Sequence, residues 1–143
     1  MAKGERLTLD AAIALVRPRD TLVCGFVAGQ PTGFLDALGA RRDLEDVVLY
    51  TGLLLQPYTL LQNPGVRIVS GFFGPIERMA RAAKARVGYA PRDFNGLERL
   101  AEQLAPRVVL AVTTRGAASG ADRDRPPPVS RRPPRGARLT ATC

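Results

Sequence analysis

Thr21-Leu22-Val23-Cys24-Gly25-Phe26-Val27-Ala28-Gly29-Gln30-Pro31 is the stretch on which the reading of this chain turns. Thr21 to Cys24 is a short, largely apolar run and predicts a strand. Gly25 and Gly29 then punctuate a loop. Thr32 stands where a helix cap belongs, and Phe34, Leu35 and Leu38 recur at helical spacing, so a helix is expected from Gly33 to about Ala40. A strand that passes through a glycine loop into a helix is the building unit of an α/β sheet.

The unit recurs outward from there. Upstream, Thr8 caps a predicted helix of Leu9 to Val16, with Leu9, Ala12, Ile13 and Val16 at helical spacing and Pro18 as the stop. Downstream, Val47 to Tyr50 is continuously apolar and reads as a strand covered on both faces. Gly52 to Tyr58 fits no regular element. After the Asn63-Pro64-Gly65 turn, Val66 to Ser70 reads as a strand that opens into Gly71-Phe72-Phe73-Gly74, and Pro75 takes the favoured first position of a helix reaching about Ala85. Val87 to Tyr89 is extended, Asn95 caps a helix of Gly96 to Leu104, and Val108 to Val112 is the last strand. The alternation specifies an α/β fold with a mostly parallel sheet flanked by helices.

Charge is distributed unevenly. The formal net of +8 separates into fourteen Lys+Arg against eleven Asp+Glu, a net of +3, in residues 1–114, and seven against two, a net of +5, in residues 115–143. The second segment holds seven Arg, five Pro, five Ala and three Gly among its twenty-nine residues, and is expected to be a disordered tail. Its cations could meet nucleic acid or a partner protein, and a small α/β binding protein with such a basic arm is the alternative function. The tail has no aromatic residue to stack on bases, which disfavours nucleic acid. Arg outnumbers Lys nineteen to two, and with abundant Ala, Gly and Pro this fits GC-rich coding more simply than selection for anions.

Several chemistries are excluded. The chain has no His, so Ser-His and Cys-His pairs are absent along with the commonest metal ligand. Cys24 and Cys143 form neither a disulfide framework nor a zinc motif, and Cys24 reads as a small buried hydrophobe. No apolar run reaches the roughly 18 residues of a membrane span, and no signal-peptide core follows Met1, so a cytoplasmic setting is expected. Gly25, Gly29 and Gly33 lack the close spacing of a dinucleotide fingerprint, and Leu49-Tyr50-Thr51 offers no ribose-binding acid. Glu77 reads as a residue that offsets the helix dipole and pairs with Arg81 at i,i+4.

The loops after Cys24 and Ser70 are the site candidates, because ligands of open α/β sheets bind beyond the carboxyl ends of the strands. The plainer reading is that glycine only permits tight turns there. The ordered set Cys24-Gly25-Phe26-Val27-Ala28-Gly29-Gln30-Pro31, Ser70-Gly71-Phe72-Phe73-Gly74-Pro75-Ile76-Glu77-Arg78, Val87-Gly88-Tyr89-Ala90-Pro91-Arg92-Asp93-Phe94 and Val108 to Val112 resembles the N-terminal domain of the acetyl-CoA hydrolase/transferase family, which includes acetate and 4-hydroxybutyrate CoA-transferases. The likeness covers roughly residues 8–114.

The resemblance implies a partial CoA-transferase-like domain over residues 1–114, two such domains in a full-length protein, and an active site between them. It implies coenzyme A thioesters and small carboxylates as substrates, no permanently bound cofactor, and a glutamate nucleophile in the second domain or a complementing subunit. No catalytic residue is then expected in this chain, which would be inactive alone. By the same resemblance Gly25, Ala28, Gly29, Gln30 and Pro31 face the interdomain cleft, with Gly71 and Gly74 beside them, to shape the acyl pocket and offer backbone N–H groups. After Thr114 the likeness stops abruptly at Arg115-Gly116-Ala117-Ala118, as a shifted reading frame or a truncation would leave it.

Overall fold

A computed structural model describes residues 7–91 and 96–112. Five short strands carry the sheet: β1 (Thr21–Cys24), β2 (Val47–Thr51), β3 (Val66–Ser70), β4 (Val87–Tyr89) and β5 (Val108–Leu110). All pairings are parallel, in the order β4-β3-β2-β1-β5. The chain therefore walks outward from β1 to β4 and then returns to the other side of β1. Strand order reverses between β1 and β5, which makes the carboxyl end of β1 the place where such sheets take ligands.

Register explains the core. Val87, Ile68, Leu49, Leu22 and Val108 form one row across all five strands, and each is buried. Side chains alternate between faces along a strand, so this row commits every second residue to one side. On that side lie Ile13 and Val16, Phe34, Leu35 and Leu38, and Leu60 and Ala80, all in the same core cluster. Burial of each large apolar side chain there contributes about 1.5–3 kcal/mol.

Four helices accompany the sheet: α1 (Leu9–Ala14), α2 (Thr32–Ala40), α3 (Pro75–Ala82) and α4 (Leu97–Leu104). Thr8 caps α1 as expected, its Oγ1 accepting from the Ala11 N–H at 3.2 Å. Thr32, expected to cap α2, is instead its first residue, and no side chain caps that helix. α3 starts at Pro75 but ends at Ala82, short of Ala85, and Lys84 turns into the left-handed region at φ 62°. Asn95 and the 115–143 segment lie outside the described residues.

β2, whose continuous apolar run implied cover on both faces, is buried at four of its five residues, but its neighbours are less covered on the second face. In the row Gly88-Val69-Tyr50-Val23-Val109, only Tyr50 is buried, and Val109 is 43% exposed. β5 also ends at Leu110, two residues short of the apolar run that predicted it. The helices and turns gathered in the core cluster serve the first face, and the second face is left half-covered.

Candidate functional site

Three strands end in the same local pattern, a small residue followed by glycine: Cys24-Gly25, Thr51-Gly52 and Ser70-Gly71. Their loops meet on one rim of the sheet. Phe26, from the first loop, lies edge-on to Phe72 of the third, with ring centroids 6.1 Å apart. Gly52, at the start of the second, fits directly under Phe26, where a Cβ would come within 2.0 Å of the ring. The two loops singled out from sequence are thus brought together, and the unassigned Gly52 to Tyr58 stretch joins them as a third wall. The repeated small-residue–glycine ending was the signal for it.

Buried polar side chains fix this rim. The Gln30 amide is saturated: Nε2 donates to Thr51 Oγ1 at 2.9 Å and to the Leu53 carbonyl at 3.0 Å. Its Oε1 accepts from the Leu55 N–H at 3.0 Å and the Tyr58 hydroxyl at 2.9 Å. Thr51 in turn donates to the Gly25 carbonyl at 3.1 Å. One side chain therefore holds the second loop against the first, and an amide in this position needs both its donors and both its acceptors.

Glu77 does the same for the third loop. It is fully buried; Oε1 accepts from the Leu54 N–H at 2.7 Å and lies 3.0 Å from Ser70 Oγ, while Oε2 accepts from the Gly74 N–H at 3.0 Å. The expected role at the start of the helix is met, since Glu77 reaches back to the residue before α3. The expected pair with Arg81 does not form. Glu77 points inward to the Leu54 and Gly74 N–H groups and Ser70 Oγ, and Arg81 lies over the Phe73 ring at 5.9 Å instead.

The family-derived site residues can now be placed. Gly25 is required by packing, because a Cβ would meet the Gly29 carbonyl oxygen at 2.6 Å; at Gly29 nothing lies within 4 Å of that position. Gly74 backs onto Leu53, 2.3 Å from where its Cβ would stand. Ala28 is exposed, and Pro31 and Gly71 are buried. The N–H groups of Gly29, Gln30, Gly71 and Gly74 go to Phe26 O, Val27 O, Thr51 O and Glu77 Oε2. These residues shape the rim and keep those donors for the fold.

What the rim presents outward is apolar. Val27, Leu55 and Phe72 are 39%, 46% and 46% exposed. Val27 also holds a left-handed backbone, φ 43°, which a β-branched residue adopts only under strain. Burial pushes the Cys24 thiol up to about 11, although a Thr51 hydrogen bond opposes it, and burial pushes the Tyr58 hydroxyl up to about 12. Neither ionises near neutral pH, so Cys24 is the small buried group its sequence context suggested. Among the described residues no cluster of acids and cysteines could hold a metal. The arrangement can shape one side of a pocket; its hydroxyl–carboxylate pair, Ser70 Oγ and Glu77 Oε1, is buried among backbone groups of the rim.

No protein-family model and no curated protein sequence matches the chain. Its fold is that of part of RipA from Yersinia pestis, with TM-score 0.62 and 22% identity over 74% of this chain. Two point-mutant forms of RipA superpose with TM-scores of 0.65 and 0.63 at 22% and 21% identity. The chain spans 28% of the length of each of these RipA chains. At this identity the likeness establishes a shared α/β architecture. No helix among the described residues is long and apolar enough to cross a membrane.

Proposed function

We propose that the chain is the N-terminal part of an acyl-CoA:carboxylate CoA-transferase or acetyl-CoA hydrolase, acting in the cytoplasm on coenzyme A thioesters and small carboxylates. The carrying observation is that the loops of the family-like ordered set converge on one rim, joined by the Phe26–Phe72 contact at 6.1 Å. In this reading Val27, Leu55 and Phe72 wall the acyl end of the substrate, and Gln30 and Glu77 are positioning residues that hold the wall in place.

The bond-making group comes from elsewhere. A glutamate carboxylate in a second domain takes the CoA from the acyl donor, releasing the acyl group as a carboxylate; a second carboxylate or water then resolves the glutamyl thioester. Such an attack requires oxyanion donors in a closed, dry site. The rim described here supplies one side of that enclosure, which is why the chain by itself is expected to be inert.

The test is thioester exchange between acetyl-CoA and a carboxylate acceptor. The 143-residue chain is expected to give none. Translating the DNA downstream of codon 114 in all three frames should reveal the glutamate-bearing continuation or an adjacent partner gene, and the chain joined to it should exchange and form a glutamyl-CoA adduct visible by mass. Turnover by the chain alone, lost on changing its own residues, overturns the reading. An inert joined protein overturns it equally.

A further inference from the structure

A concavity lies along the sheet edge formed by β4. It is a groove of about 610 Å³ lined by Arg67 of β3, Arg81 of α3, and Arg86, Gly88 and Tyr89. Between Glu77 and Tyr89 the sequence has Arg78, Arg81, Lys84 and Arg86 and no carboxylate. A region with a net of only +3 across residues 1–114 has gathered its cations here.

The ordinary reading of such a face is solvation, with Arg81 offsetting the carboxyl end of α3. Three features favour a site. Arg67 and Arg86 immediately precede the paired residues Ile68 and Val87, and like charges on neighbouring strands repel unless an anion joins them. Of Arg67, Arg81 and Arg86, only Arg86 has a carboxylate partner among the described residues, Asp46 at 3.2 Å. Beside the guanidinium groups stands Tyr89, 52% exposed, with its ring 5.7 Å from Phe73. Guanidinium forks match phosphate oxygens, and an exposed aromatic ring accepts the face of a base.

We propose that this groove binds a nucleoside carrying more than one phosphate, with Arg67, Arg81 and Arg86 on the phosphates and Tyr89 against the base. Resting on the function proposed above, the ligand is the phosphorylated adenosine end of coenzyme A. The placement suits a long thioester. Tyr89 lies against Phe73, which belongs to the same loop after β3 as the rim residue Phe72.

Calorimetric titration of the full chain with adenosine 3′,5′-bisphosphate, pyrophosphate and adenosine tests this. The bisphosphate is expected to bind saturably, more weakly as salt rises, and adenosine not at all. Arg67→Ala with Arg81→Ala should weaken the bisphosphate about tenfold or more. Tyr89→Ala should weaken it by about tenfold while sparing pyrophosphate. Gly88→Val, where the nearest atom to a new Cβ is 3.9 Å away, should block the groove floor with every charge intact. The cations of residues 115–143 are common to all these proteins, so differences between variants report the groove.

Binding unchanged in the double Arg variant overturns the proposal. So does pyrophosphate binding as tight as the bisphosphate and indifferent to Tyr89→Ala, which would mark a plain anion site. A mixed-sequence RNA oligonucleotide that binds through these arginines while the bisphosphate does not would overturn it in favour of nucleic acid. The assay reads no thioester chemistry. Groove-dependent binding with an inert joined protein would sink the proposed function alone, and exchange without groove-dependent binding would sink the groove alone.

Discussion

The two ends of the sheet are held by different chemistry. At the amino ends of the strands lie all four ion pairs among the described residues: Arg107–Asp20, Arg41–Asp43, Arg19–Glu45 and Arg86–Asp46. At the carboxyl ends the polar work falls to buried side chains, Gln30, Thr51, Ser70 and Glu77, which reach across from loop to loop. Three of those pairs are largely exposed on at least one side and contribute little, whereas buried Asp20, like the buried groups of the carboxyl rim, costs free energy unless its partners stay in place. The contrast teaches where this fold needs precision. The amino rim is a set of charged turns; the carboxyl rim is a rigid surface with apolar residues on its outside, which is what a pocket wall requires.

The comparison breaks most sharply at Glu77. Glu77→Ala should destabilise the protein by about 2–4 kcal/mol, because it orphans the buried Leu54 N–H and the part-buried Gly74 N–H together. Urea unfolding measures the loss, and a cost below about 1 kcal/mol would show that the carboxyl rim is not held as described. Next come two glycines that look alike in sequence. Gly25→Ala should cost about 2 kcal/mol by forcing its loop against the Gly29 carbonyl, and Gly29→Ala should stay within about 0.5 kcal/mol. Equal effects on the melting temperature would contradict that packing difference.

At the amino rim the strongest pair is Arg107–Asp20, in which Arg107 also donates to the Leu15 carbonyl. Burial pushes the Asp20 carboxyl up, but the Arg107 hydrogen bond, the Arg17 N–H and both guanidinium charges outweigh it and hold it below its ordinary 3.8. A carboxylate depressed on folding contributes stability above its unfolded value, and that contribution disappears as pH falls through the folded value. Asp20→Asn should therefore cost about 1–3 kcal/mol at neutral pH, with the difference from wild type narrowing below pH 3.8. A difference independent of pH, followed by denaturant titration, would remove the ion pair as its cause. Smallest is Arg19→Ala, expected within about 0.5 kcal/mol because both members of its pair with Glu45 are mostly exposed, at 76% and 68%.

Much of the architecture was legible because it is written in local pattern. Thr21 to Cys24 and Val66 to Ser70 are the strands their apolar runs predict. Pro75 opens its helix, and the Asn63-Pro64-Gly65 turn delivers β3 as read, with Asn63 donating to the Gly39 and Arg41 carbonyls. Errors fell where long-range packing overrides local signals. The helix opened by Pro75 stops at Ala82 and not near Ala85, β5 stops at Leu110 although the apolar run reaches Val112, and Glu77 leaves Arg81 although spacing makes them neighbours. Burial beneath the Leu54 and Gly74 backbone took it elsewhere.

The sequence by itself determined the order of elements, the parallel α/β class and the glycine loops after β1 and β3, since hydrophobic period and turn residues act within a few positions. Tertiary structure alone decided that Gln30 would meet Tyr58, 28 residues away, that Glu77 would turn inward, and that Arg67 would join Arg81 and Arg86 in one groove. Those encounters follow from strand register and from which loops share a rim. Neither quantity exists until the five strands have paired.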